Sequence, residues 1–93
     1  MQAKDLIGKP VFISGYIRNQ LFRIDRIDWV HGQYECTDLL VDDPESHPTF
    51  WSEYKIRMGF NGNRTYFRSI KVISEEEVEE YRRNQIVRKI MEE

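Results

Sequence analysis

Cysteine is almost missing from this chain: Cys36 is the only one in 93 residues. A lone cysteine excludes an intramolecular disulfide and leaves a thiolate metal site without partners. A reducing, cytoplasmic location is therefore the expectation. No apolar run reaches membrane-spanning length, and residues 1–10 lack the apolar core of a signal peptide. Internal repeats, a glycine-rich phosphate loop and a dinucleotide fingerprint are all wanting. Histidine is scarce too, with only His31 and His47. A nucleophile–base pair needs Ser, Thr or Cys beside a histidine. His31 falls next to Gly32 in a predicted turn, where a polar residue is ordinary. Cys36 alternates with Tyr34 and reads as a small core filler. No cofactor is implied, and no enzymatic activity is expected.

The acids Asp42, Asp43 and Glu45, with His47, are the one grouping that could hold a hard cation. Calcium loops need oxygens at fixed alternating spacing and a central glycine. This stretch has two prolines, Pro44 and Pro48, and no glycine. It reads as a solvated acidic loop, with no metal bound.

What is present is a globular composition, 40% hydrophobic and 13% aromatic, too apolar for a disordered chain. The length sets one domain with a modest core. Charge is divided unevenly. Residues 1–73 carry ten Lys/Arg and nine Asp/Glu, whereas residues 74–93 carry four and seven. A nucleic-acid binder usually shows a clearer basic excess, because neutralised phosphates supply much of its affinity.

The β signals come in quick succession. Val11-Phe12-Ile13-Ser14-Gly15-Tyr16-Ile17 is rich in β-branched and aromatic residues, and Arg18-Asn19-Gln20 follows as a polar turn. Residues 21–30 form a second strand with apolar positions at Phe22, Ile24, Ile27 and Trp29. The step of three from Ile24 to Ile27 breaks the alternation and marks a β-bulge near Asp25-Arg26. Gln33 to Val41 returns as the third strand, and residues 42–53 read as a long loop. Phe50-Trp51 within it either plugs the core or stands out as a contact anchor. Tyr54-Lys55-Ile56-Arg57-Met58-Gly59-Phe60 alternates cleanly into Asn61-Gly62, the strongest hairpin signal in the chain. Residues 63–73 form the return strand. The predicted core is Val11, Ile13, Phe22, Ile24, Ile27, Trp29, Ile56 and Met58.

Ser74 opens a helix: it can cap, Glu77 completes a capping box, and Ile73 with Val78 forms a hydrophobic staple. On a 100° wheel Val78 and Tyr81 share one side. Ile86, Val87, Ile90 and Met91 lie largely round the other and form an apolar strip.

The whole chain thus reads as a mainly β domain: a small five-stranded antiparallel barrel over residues 1–73, then one C-terminal α-helix over residues 74–93. A meander of five short strands closing on itself is similar to the SH3-like barrel, with an OB-like barrel as the alternative. The stretch Val11-Phe12-Ile13-Ser14-Gly15 resembles the opening strand of KOW and Tudor-type barrels, without the second glycine and the basic run of KOW segments. Fold-level analogy of this kind assigns no function.

Function is expected from binding. The predicted last hairpin places Lys55, Arg57, Arg64, Tyr66 and Arg68 on one face with no acid among them. Such a face suits an anionic partner, or simply guards a sheet against edge pairing. The first expectation is a non-catalytic module making protein–protein contacts, a small adaptor or inhibitor of the kind found on phages. The alternative is a nucleic-acid-binding barrel that uses the basic face. Membrane contact is not expected. The strip Ile86, Val87, Ile90 and Met91 is expected to meet a second copy, as a homodimer, or a partner protein. Sedimentation of the wild type beside an Ile86→Glu, Ile90→Glu double variant tests this: association that the variant loses is the expected result, and a concentration-independent wild-type monomer contradicts the homodimer.

Overall fold

The structure, a computed structural model, describes the backbone of residues 3–40 and 48–92 and the side chains of residues 4–40 and 48–84. The strip Ile86, Val87, Ile90 and Met91 and the acidic group Asp42, Asp43, Glu45 and His47 lie outside the described side chains.

Five strands form one antiparallel sheet: β1 (Pro10–Ser14), β2 (Asn19–Asp28), β3 (Gln33–Asp38), β4 (Thr49–Ser52) and β5 (Ser69–Val72), in the order β4-β3-β2-β1-β5. A short 3-10 turn, Ala3–Leu6, precedes β1 and contributes Leu6 to the core. The expected closure is not made by hydrogen bonds: among the described residues no ladder joins β4 to β5, and the sheet is open. Helix α1 (Glu53–Phe60) packs against β3, β4 and β5 instead.

The bulge is where the sequence placed it. Ile24 pairs with Cys36 and Arg26 with Glu35, so Asp25 is the extra residue on β2. Its insertion returns Phe22, Ile24 and Ile27 to one face. Phe22 and Ile24 are fully buried there, with Val11, Ile13, Tyr34, Cys36, Ile56 and Phe67, and Ile27 packs against them. Two predicted core residues fall elsewhere. Trp29 is 67% exposed, because β2 stops at Asp28 and the chain turns through residues 29–32. Met58 is only half-buried.

The predicted hairpin over residues 54–73 is corrected: residues 54–60 are helical. Apolar residues at 54, 56, 58 and 60 fit a strand, but Ile56 and Phe60 are also i,i+4 neighbours, and short runs do not separate the two periods. Local contacts support the helix. The Ser52 hydroxyl accepts from Lys55 N at 3.4 Å as an N-cap, and Glu53 pairs with Arg57 one turn on at 3.3 Å. Asn61-Gly62 then ends the helix rather than turning a hairpin. Gly62, at φ +93°, donates to Gly59 O at 3.0 Å, and Asn63 N donates to Met58 O at 2.9 Å. These are the two bonds of a Schellman motif, in which a positive-φ glycine closes a helix. The fourth strand comes from the predicted loop: Thr49–Ser52 pairs with β3. As an edge strand just past Pro48 it avoids the conflict between proline and a central ladder.

Helix α2 (Glu75–Glu92) starts as the sequence indicates. Glu77 N donates to the Ser74 hydroxyl at 3.2 Å, a cap that contributes about 1 kcal/mol. Ile73 and Val78 are both buried, as a staple requires. The first turns dock on the outer face of the sheet. Tyr81 stacks on Phe12 with centroids 4.9 Å apart, and Nη2 of Arg23 donates to both carboxylate oxygens of Glu75 at 2.8 Å. No helix among the described residues is long and apolar enough to cross a membrane.

Gly59 shows how closely α1 lies on the core. A Cβ there would meet the ring of buried Phe67, with Cζ at 2.6 Å, and Ile70 Cγ2 at 3.0 Å. Helix propensity alone favours Gly→Ala by about 1 kcal/mol. Overpacking a filled site costs about 1–3 kcal/mol. Gly59→Ala is therefore expected to lower the urea midpoint; a raised midpoint would show that the ring moves aside.

Candidate partner-binding cleft

A cleft of about 340 Å³ opens where the turn between β1 and β2 meets the segment after α1. Its lining includes Ile13, Tyr16, Ile17, Arg18, Trp51, Tyr66 and Phe67. The β1–β2 turn is tight at Gly15, where a Cβ would collide with the Arg18 carbonyl oxygen. That turn holds Ile17 almost entirely in solvent (99% exposed) and Tyr16 more than half exposed. Tyr16 donates its hydroxyl to Arg64 O at 2.5 Å, and Arg68 N donates to Ser14 O at 2.8 Å. These two bonds tie residues 64–68 to the turn and form the mouth of the cleft. Deeper in, Trp51 stacks on Phe22 and meets Phe67 edge-on, with centroids 5.8 and 6.1 Å apart. Its indole N–H is buried and has no acceptor among the described residues. Phe50, its neighbour on β4, is 52% exposed, so of the two aromatics Trp51 alone packs against the core.

The predicted basic face is partly assembled here, by a different route from the hairpin. Lys55 Nζ lies 5.2 Å over the Tyr66 ring, and Arg68 lies 5.7 Å over the Tyr16 ring. Arg64 supplies the carbonyl that Tyr16 bonds. Arg57 turns away along α1, paired with Glu53 and lying 5.7 Å over Tyr54. Tyr16, Ile17, Arg18 and Trp51 were not among the predicted site residues. Two bulky apolar residues, Tyr16 and Ile17, running straight into a polar turn were the available signal.

The segments on either side of the cleft are rich in cations. Residues 10–20 and 54–73 hold no Asp or Glu, and they supply Arg18, Lys55, Arg57, Arg64, Arg68 and Lys71. Among the described residues no three His, Cys, Asp or Glu gather as a metal site would require. His31 meets the Asp28 carboxylate through Nδ1 at 2.7 Å, and that hydrogen bond holds Asp28 below the usual carboxylate range.

Cys36 is fully buried, and burial first, then the nearby acids Asp25 and Glu35, push its thiol up to about 12. Tyr34 is likewise raised to about 12, by burial and then by Glu53. A thiol held neutral at physiological pH is a poor nucleophile and a poor ligand.

No protein-family model, curated protein or solved structure matches the chain.

The raised groups set a pH dependence. Both are neutral in the fold and ionise more readily once unfolded, so their contribution is complete below pH 9, the ordinary range of a free thiol, and is lost as pH rises toward 12. The urea midpoint is expected to fall progressively above pH 9, and less steeply for Cys36→Ala. A midpoint level to pH 11 would contradict this burial effect.

Proposed function

We propose that this chain is a non-catalytic binding module that captures a protein partner in the aromatic cleft, with the surrounding cations steering and orienting an acidic partner surface. The single observation that carries this reading is the juxtaposition of the exposed Tyr16, Ile17 and Tyr66 at the mouth with Arg18 in the lining and Lys55 and Arg68 over the tyrosine rings. Aromatic anchors in a concave site supply binding energy, and like-signed charge around it supplies association rate and selectivity. An adaptor or a small inhibitor would need no more chemistry than this.

The fold is best read as an SH3-like barrel left open by hydrogen bonding. The strand order β4-β3-β2-β1-β5, the bulged and bent β2, and α1 standing between the two edge strands support that reading over an OB-like one. The cleft then lies at one end of the barrel, between its loops.

The same aromatics and cations could serve a single-stranded nucleic acid. The geometry favours protein, because one face of Tyr16 and one of Tyr66 already carry the chain's own cations, whereas a stacking platform offers its faces to bases. Capture from nuclease-treated lysate of the source cell separates the two. The wild type is expected to retain its partner after nuclease, and a Tyr16→Ala, Tyr66→Ala double variant to lose it by at least about tenfold in affinity. A partner that disappears with nuclease, or one that the double variant still holds, contradicts the proposal.

A further inference from the structure

The turn between β2 and β3 is built around two side chains that the fold does not use. Trp29 is 67% exposed and Val30 is 90% exposed. They are nonetheless held in place: the Asp28 carboxylate accepts from Val30 N at 3.1 Å and His31 N at 3.3 Å, besides its bond to the His31 ring. A turn ordered in this way presents its apolar pair at little further cost in conformational entropy. This tip lies at one end of β2, and the cleft mouth, at the β1–β2 turn, lies at the other. A ten-residue strand puts on the order of 30 Å of chain between them. Trp29 is not among the residues that line the cleft.

We infer that the Trp29–Val30 tip of one copy docks into the cleft of a second copy, head to tail. The inference rests on the cleft being a protein-binding site. Charge selects this occupant. Residues 25–35, which flank the tip, carry three acids (Asp25, Asp28 and Glu35) against Arg26, a formal −2 with His31 neutral. Arg18 lines the cleft, and Lys55 and Arg68 lie over the rings of its Tyr66 and Tyr16. An aromatic anchor thus arrives with the charge its receptor requires. The receptor offers Tyr16, Tyr66 and Trp51 as ring partners for the incoming indole. The contact is heterologous, since each copy keeps a free tip at one end and a free cleft at the other, and association therefore extends rather than stopping at two. An anchor of two side chains buries less than a standard interface, which makes the association weak, reversible and sensitive to salt. An outside partner of the cleft then competes with the tip.

The test is sedimentation over a concentration series at low salt. The wild type is expected to grow with concentration, and Trp29→Ala and Tyr66→Ala to lose that growth, each folded as judged by circular dichroism. Arg18→Glu, on an exposed turn, replaces Tyr66→Ala should the latter unfold. Mixing the two kinds of variant is the decisive arm. Trp29→Ala keeps an intact cleft and the cleft variant keeps an intact tip, so the mixture is expected to form a one-to-one dimer that grows no further. A wild type that stays monomeric, a Trp29→Ala variant that associates as the wild type does, or a mixture that stays monomeric would each overturn head-to-tail docking. If any of these holds while the cleft still captures an outside partner that Tyr66→Ala loses, this inference alone falls. If that capture is independent of Tyr66, the cleft reading falls with it.

Discussion

One residue too many in β2 is the constraint on which the rest of this structure depends. The strand pairs with β1 over Asn19–Arg23 and with β3 over Phe22–Asp28, and Asp25 is inserted within the second ladder, between Ile24 and Arg26. Side chains alternate strictly along a strand, so a single insertion exchanges the two faces beyond it. Phe22 and Ile24 point into the core before the bulge, and Ile27 packs against the same core after it. The extra residue is anchored from outside. Thr37 donates its hydroxyl to the Asp25 carboxylate at 2.5 Å, and Arg26 pairs with Glu35 across the ladder. Both bonds are exposed and weak individually. They fix where the bulge sits, while apolar burial on the inner face makes it worth having. A bulge of this kind bends its strand and raises the local twist. Helix α1 bridges the remaining gap, and its contact with Phe67 is close enough to require glycine at position 59.

Much of this was legible in the sequence, for definite reasons. The step of three between Ile24 and Ile27 has no reading as a regular strand, so the bulge was forced. Ser74, Glu77 and the Ile73–Val78 pair specify one helix start by three separate signals, and the start is where they put it. Residues 54–60 were misread because their signals are degenerate. Apolar residues at every second position satisfy a strand, while Ile56 with Phe60 and Glu53 with Arg57 satisfy a helix. Asn61-Gly62 serves a hairpin turn or a helix end equally well, since both need the positive φ that Gly62 adopts. What settled the matter was tertiary: β4 forms from Thr49–Ser52 and leaves residues 53–60 to cover the open side of the sheet.

The candidate site was legible only in its chemistry. An acid-free stretch with Lys55, Arg57, Arg64, Tyr66 and Arg68 is visible in one dimension, but its placement opposite Tyr16 and Ile17 depends on pairing of β1 with β5 over a separation of more than fifty residues. Trp51 entered the cleft for the same reason, since a loop aromatic becomes a core aromatic once its segment joins the sheet edge. Periodicity carries no information about such long-range juxtapositions. The outer face of the sheet shows both cases: Ile73 adjoins the helix start in sequence and its staple was legible, whereas Phe12 and Leu21, on which α2 also docks through Val78 and Tyr81, are more than fifty residues away and were not.

Deletion of Asp25 tests the dependence on the bulge most directly. The residue is exposed, so Asp25→Ala loses only its bond to Thr37 and should cost about 1 kcal/mol. Removing the residue outright sends Ile27 to the outer face or forces β3 to shift register by one. The deletion variant is predicted to lose at least about 3 kcal/mol in urea denaturation, or to fail to fold. A deletion variant with a midpoint close to that of Asp25→Ala would contradict the account.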